Sequence, residues 1–389
     1  MYFAACLWTI VIAVIVIKIA LHPGRHSVFY VFVNGGRHWL QGRDMYGILD
    51  LDCFRYSPLV GILMIPFTLV PDSVGEILWR LLNAGVYLGA AVAWISISGA
   101  ALRRRTYLAW VLVLMIPLSV GSLNNGQSNP LIIGSLLATL VAVRQDRWNL
   151  AAGLAAFACL LKVYPIAVVL LLIVMYPRQL APRFIAFLAL GLGIPFLLQD
   201  RGYVIQEYAN WFHHLQTSDR LSLPPELWYR DFRLLCHGCH LDIRPSVYTA
   251  IQLAVAAGSA ALCLSAQRAG WSRERLLGLA LALGCCWMTV FGAAAESCTY
   301  TVLAPTLAWT LLEALDGERA ISYRMLVSAS FALFTLTSIA VWFPFGRRFH
   351  SLGVHPAAGL LLLIAVVISA RSCLHRKRRD SGFPLAAAA

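Results

Sequence analysis

Charge is scarce in this sequence. Only 13% of its residues are Asp, Glu, Lys or Arg, and 60% are hydrophobic; a soluble domain carries about 25% charged residues. That shortage excludes an ordinary soluble fold. Repeated apolar stretches of about 17–25 residues each take its place, and they read as membrane-spanning helices. Acid is scarcer than base, with 18 carboxylates against 31 Lys and Arg and a formal charge of +13. The excess does not point to nucleic acid, because the basic residues form no continuous face. They fall in short clusters between apolar runs, the pattern of cytoplasmic loops. Also missing after the first apolar run are the small residues that a signal peptidase needs, since Lys18 and His22-Pro23 stand there; the run is expected to remain as an anchor. No repeat of solenoid period is visible, and low complexity is confined to Ala386–Ala389.

The ten cysteines lack the even pairing of a disulfide framework. Cys6, Cys159, Cys263, Cys285, Cys286 and Cys298 lie in or beside apolar runs, where cysteine behaves as a small hydrophobe. Any disulfide rests on Cys53, Cys236 and Cys239. The stretch Cys236-His237-Gly238-Cys239-His240 fits the attachment pattern of haem c, but it has no second copy and no Met-bearing partner segment. As a zinc site it would crowd four ligands into one tight turn. A structural or disulfide role outweighs both, so no cofactor is expected and haem at Cys236, Cys239 and His240 is set aside.

What is present is an all-α, polytopic pattern of roughly 12 spans. The basic clusters Arg103–Arg105, Arg144/Arg147, Arg178/Arg183, Arg268/Arg273/Arg275, Arg319/Arg324 and His375–Arg379 can all lie on one side, the cytoplasmic one. The chain then reads as a single transmembrane domain, 1–389, in a cell membrane. A first outer loop, 22–56, carries an interfacial amphipathic helix around Val28–Phe32 and Trp39. A larger outer loop, 200–245, mixes tryptophans and tyrosines with both signs of charge, and a basic tail, 372–389, stays inside. Ser57–Pro71, with three prolines, is expected to be an incomplete crossing. The hairpin halves 149–162 and 163–176 are short, about 21 Å each.

Two polar insertions break the apolar run from Thr106 to Pro177. One is Asn124-Asn125-Gly126-Gln127-Ser128-Asn129; the other is Lys162 with Tyr164 and Pro165. Amides and an ammonium near membrane depth are costly unless they face a cavity or one another, so both insertions are expected to line a site. Its candidate binding residues are Lys162, Arg55, Tyr56, Asn125, Gln127, Asn129, Arg230, Asp231 and Tyr300. Further outward cations are Arg233, Arg347, Arg348 and His350. Lys162 is the most informative, with snorkelling to the interface as its alternative. The outward carboxylates are Asp44, Asp50, Asp52, Asp231 and Glu296. Glu296 lies in a membrane turn, where a carboxylate titrates upward unless paired, the state a general base needs.

At these residues the sequence resembles glycosyltransferase family 87, polytopic enzymes of the GT-C superfamily that include bacterial mannosyltransferases using polyprenyl-phosphate sugars. The matching pieces are Gly42-Arg43-Asp44-Met45-Tyr46, Tyr56-Ser57-Pro58-Leu59 running to Pro66 and Pro71, Gly126-Gln127-Ser128-Asn129, Gly153, and Lys162-Val163-Tyr164-Pro165. They cover about the first half of the chain. The resemblance implies a GT-C-type helical bundle and an inverting hexosyltransferase whose site faces outward. Its donor would be a polyprenyl-phosphate hexose, and its acceptor hydroxyl would belong to a lipid or glycan. The family's base, an Asp ahead of a Tyr-containing helix, has no counterpart in Arg25-His26-Ser27-Val28-Phe29-Tyr30. Glu296 or Asp44 takes that role unless activity has been lost, and Glu296 is placed first. Phe291–Pro305 also replaces a His-bearing segment of the family. The rival class is a transporter or flippase of a lipid-linked glycan, which would normally show two half-chain repeats; none is visible.

Overall fold

The computed structural model describes residues 1–47, 53–98, 104–217, 220–316, 319–340, 343, 346 and 351–380. Asp50, Asp52, Arg347, Arg348 and His350 lie outside them, as do Arg103 and the last nine residues. The described residues form helices α1 (Tyr2–Leu21), α2 (Phe29–Gln41), α3 (Pro58–Thr68), α4 (Asp72–Ser98), α5 (Arg104–Asn124) and α6 (Asn129–Arg144). They continue as α7 (Trp148–Leu161), α8 (Ile166–Met175), α9 (Pro177–Gly193), α10 (Arg201–Thr217), α11 (Phe232–Gly238) and α12 (Pro245–Arg268). The last four are α13 (Arg273–Cys286), α14 (Ala304–Asp316), α15 (Ile321–Ala340) and α16 (Val354–Asp380). No strand occurs among the described residues. Eight helices are long and apolar enough to cross a membrane, and four more (α3, α6, α7 and α8) are apolar but shorter.

The layering follows from which helices are apolar all round. Nearly every residue of α6 from Asn129 to Val143 is buried, and α13 is buried from Leu276 to Cys286 except at Gly278. These two form the centre. α4 packs along α6, α7 joins α6 to α9, and α5 lies against α14. The close α4–α6 approach needs Gly134, where a Cβ would stand 3.0 Å from the backbone of Tyr87. α12 stands at the rim, with 17% of its apolar window buried against 78% for the span that includes α13.

Short helices occur where prolines and polar turns interrupt the apolar runs. α3 covers only Pro58–Thr68, with Pro66 inside it. The hairpin of α7 and α8 turns through Lys162–Pro165, as its composition implied. One expectation needs a different cause. The apolar face of α2 (Phe29, Phe32, Val33 and Trp39) is buried against α3 and α4, with Phe32 on the rings of Tyr56 and Trp79. Protein, rather than lipid, covers it.

The ends of the helices separate two chemistries. At one end Arg144 pairs with Glu274, and Arg273 bonds both oxygens of Asp146 at 2.9 and 3.0 Å. These ion pairs tie the α6–α7 turn to the start of α13. At the other end of α6 and beyond the far end of α13 lie Asn124–Asn129 and Glu296.

Candidate active site

The loop between α5 and α6 is held by its backbone. Arg80 Nη2 donates to the carbonyl of Asn124 at 2.7 Å, Trp79 Nε1 to that of Gly126 at 2.8 Å, and the Val28 amide to that of Asn125 at 2.9 Å. Lys18 Nζ reaches the Asn124 side chain at 2.9 Å. Gly126 has φ +69°, and a Cβ there would lie 3.2 Å from the Arg80 guanidinium, so both the turn and the contact demand glycine. Arg80 is itself fixed by a buried ion pair with Glu76 at 3.1 Å, and Glu76 accepts from the Gly24 amide. Two buried charges on α4 thus hold the loop.

With the backbone anchored on that side, the side chains of residues 125, 127 and 129 reach other segments. Asn125 Nδ2 approaches Cys298 Sγ at 3.9 Å. Gln127 Nε2 lies 3.5 Å from Glu296 Oε2, and its buried Oε1 accepts no hydrogen bond from the described residues. Asn129 Oδ1 accepts from Lys162 Nζ at 3.3 Å and from Tyr164 Oη at 2.7 Å. Lys162 caps α7 in an extended conformation, with its ammonium 5.6 Å from the Tyr56 ring and 5.8 Å from that of Tyr164. It turns inward to an amide and two rings, a partly desolvated setting in which cation–π attraction is strengthened.

Glu296 is the hub. It opens the 3₁₀ turn Ser297–Leu303 in a capping box with Thr299. Its Oε1 accepts from Arg220 Nη2 at 3.0 Å and stands 3.9 Å from Arg55 Nη1. Arg55 also donates to Tyr229 Oη at 3.1 Å and to Cys53 Sγ at 3.3 Å, while Arg220 stacks on the Tyr229 ring at 4.5 Å. Five separate stretches therefore meet: 53–56, 125–129, 162–164, 220–229 and 296–298. They bring together Arg55, Arg220 and Lys162 with one carboxylate, Glu296, whose side chain is one-third exposed.

The other residues singled out from sequence make hydrogen bonds of their own. The guanidinium of Arg230 is engaged by the carbonyls of Pro225 and Glu226, and its amide donates to Ala295 O at 2.6 Å. Tyr300 Oη donates to the carbonyls of Arg230 and Thr289. Asp231 caps α11 through the amides of Arg233 and Leu234 and accepts from Tyr248; burial raises its carboxyl to about 6. The Arg230 amide and the Tyr300 hydroxyl thus tie the segment before α11 to the stretch that carries Glu296. Asp44 is exposed, its Oδ1 accepting from the Tyr46 amide at 2.8 Å and Asn210 Nδ2 at 3.2 Å. Beside it Glu207 of α10 is buried and accepts from the Met45 amide at 3.0 Å. Burial first, and then the charge of Asp44, push the Glu207 carboxyl up to about 7.

In the Cys236–His240 stretch, Cys236 is buried and Cys239 exposed. His237 stacks on Trp228 with ring centres 4.6 Å apart. Among the described residues no three His, Cys, Asp or Glu side chains gather in a way that could hold a metal ion.

Sequence reasoning missed Arg220, Glu76, Arg80 and Glu207. Arg220 looks like any solvated charge of a mixed-charge loop. The pair Glu76 and Arg80 did carry a signal, since opposite charges four apart in an apolar helix are expected to pair.

Comparison with known proteins places these residues in context. The profile of "Glycosyltransferase family 87" matches residues 54–292. GPI mannosyltransferase 1 of Trypanosoma brucei brucei is 27% identical over 140 residues, which make up 36% of this chain and 31% of that protein; the match thus spans about a third of the relative's length. Among solved structures, ArnT from Cupriavidus metallidurans bound to undecaprenyl phosphate is 14% identical with a TM-score of 0.42, over 96% of this chain and 79% of that one. Its apo state gives 0.38 over 96% and 78%.

Proposed function

Because the chain belongs to glycosyltransferase family 87, we propose that this membrane glycosyltransferase moves a hexose, mannose foremost, from a polyprenyl-phosphate donor to an acceptor hydroxyl on the outer face of the membrane. One observation carries the reading: Arg55, Arg220 and Lys162 converge with Glu296 at the ends of apolar helices. A lipid-linked sugar phosphate has its chain in the bilayer and its anion at such a depth. Breaking the bond from the anomeric carbon to the phosphate oxygen builds negative charge on the leaving phosphate. Cations already in place stabilise that charge without reorganising, and arginine forks match phosphate oxygens. The acceptor oxygen forms the new bond to the anomeric carbon from the opposite side, so the configuration inverts.

The proton of the acceptor hydroxyl goes to Glu296. In the free protein Arg220 and Arg55 face Oε1 of this carboxylate. The donor phosphate competes for the same guanidiniums, and their partial transfer frees Glu296 to act as base as the donor arrives. Gln127 and Asn129 hold Glu296 and Lys162 at their spacing. The outward assignment is supported by the basic turns at the opposite helix ends, where Arg144 and Arg273 lie.

The test is transfer from polyprenyl-phosphate-mannose to a panel of lipid and glycan acceptors by the purified full chain. Lys162→Met, which keeps the apolar stem, should raise the donor KM at least tenfold, about 1.4 kcal/mol, with the melting temperature unchanged. Unaltered KM and kcat in that variant would remove Lys162 from the donor site. Absence of sugar transfer with every donor and acceptor would overturn the function.

A further inference from the structure

A cavity of about 630 Å³ opens at the rim of the bundle between α12, α13 and α16. Its wall runs from Val255 through Gly258 and Leu262 to Ser265 on α12, and along α16 to Arg371 and His375. Ten residues of helix rise about 15 Å, half of the hydrocarbon thickness of about 30 Å. The groove is therefore one leaflet long. Gly258 leaves it open, because a Cβ there would meet nothing within 4 Å. No carboxylate lines it, and its lining is apolar except for two serines, one of which bonds its own helix, and the end formed by Arg371 and His375. These two lie four residues apart on one helix face, both exposed, at the end where Arg268 closes α12.

We propose that this groove binds an anionic glycerophospholipid of the leaflet on the basic side, with one acyl chain along α12 and the phosphate at Arg371 and His375. Length and charge both specify the occupant. A slot one leaflet deep takes a single acyl chain, whereas a polyprenyl chain spans more than one leaflet. The cationic end selects an anionic headgroup over a zwitterionic one by charge. α12 is the span least enclosed by protein, so lipid enters sideways without any helix moving. The basic end of the groove lies with Arg268 at the turn leading into α13, whereas Glu296 follows the far end of α13, and the proposal stands independently of the transfer reaction.

The experiment is native mass spectrometry of the full chain with phosphatidylglycerol, phosphatidylcholine of the same acyl chains, and polyprenyl phosphate. Phosphatidylglycerol should be retained at least fivefold more than phosphatidylcholine. Arg371→Gln with His375→Gln should bring it down to the phosphatidylcholine level. Gly258→Leu, which fills the slot, should reduce retention of phosphatidylglycerol at least threefold. Equal retention of the two phospholipids, undiminished binding to Gly258→Leu, or displacement of phosphatidylglycerol by equimolar polyprenyl phosphate would each overturn the proposal. Should Gly258→Leu not accumulate, the charge variant, made at two exposed positions, decides alone.

Discussion

Glu207 offers a measurement that reads the packing of the first outer segment directly. It is 1% exposed on α10, and its carboxylate accepts from the Met45 amide. Folding raises its carboxyl from 4.5 to about 7, chiefly by burial and then by the charge of Asp44, against the bonds from Met45 and Asn210. Between those two values the folded chain holds a proton that the unfolded chain has released. Stability therefore falls as pH rises through this window and stays lower above 7. The ceiling is about 3.4 kcal/mol over the full window, of which about 1.9 kcal/mol falls between pH 5.5 and 8. That difference corresponds to roughly 2 °C in melting temperature for a chain of this size. Glu207→Gln keeps the shape and the acceptor for Met45 but cannot ionise. In thermal melts of detergent-solubilised protein from pH 5.5 to 8, the wild type should lose about 2 °C relative to this variant. Asp231, also raised, titrates identically in both and cancels. Parallel profiles for the two proteins, or a wild type that gains stability toward pH 8, would refute the burial argument.

Three further outcomes bear on the site and its setting. Glu296→Gln should retain donor binding and lose sugar transfer by at least a hundredfold, about 2.7 kcal/mol, while Asp44→Asn changes it less than threefold; the reverse order in kinetic assays would hand the base role to the first loop. Arg80→Leu strands Glu76 without its cation, which costs about 3–5 kcal/mol in a buried pair, so membrane accumulation should fall sharply, and Glu76→Gln with Arg80→Leu should recover much of it. In variants that keep a single cysteine, an impermeant maleimide applied to intact cells should modify Cys239 and spare Cys373; labelling of Cys373 alone would invert the orientation and move the candidate site to the inner face.

Composition and periodicity alone determined the class of this protein. Too little charge for a soluble surface, and apolar runs of membrane length, leave helices as the structure that satisfies its backbone in lipid. The polar insertions were legible for the same reason: Gln127, Asn129 and Lys162 are too expensive in an apolar run to be unpartnered. What those residues touch was not legible, because the partners come from stretches far apart in the chain. Glu296 meets Arg220 across 76 residues and Gln127 across 169, and no local pattern encodes such pairings. The same holds for the residues that the fold put to structural use. Asp231, Arg230 and Tyr300 read as site chemistry in a list of polar groups, yet helix caps and backbone carbonyls take them up once neighbouring segments close around them. Asp44 shows the limit most plainly. Its sequence context suits a base, but in the fold its carboxylate accepts from the Tyr46 amide and Asn210, whereas the carboxylate that meets Arg220 and Arg55 is Glu296.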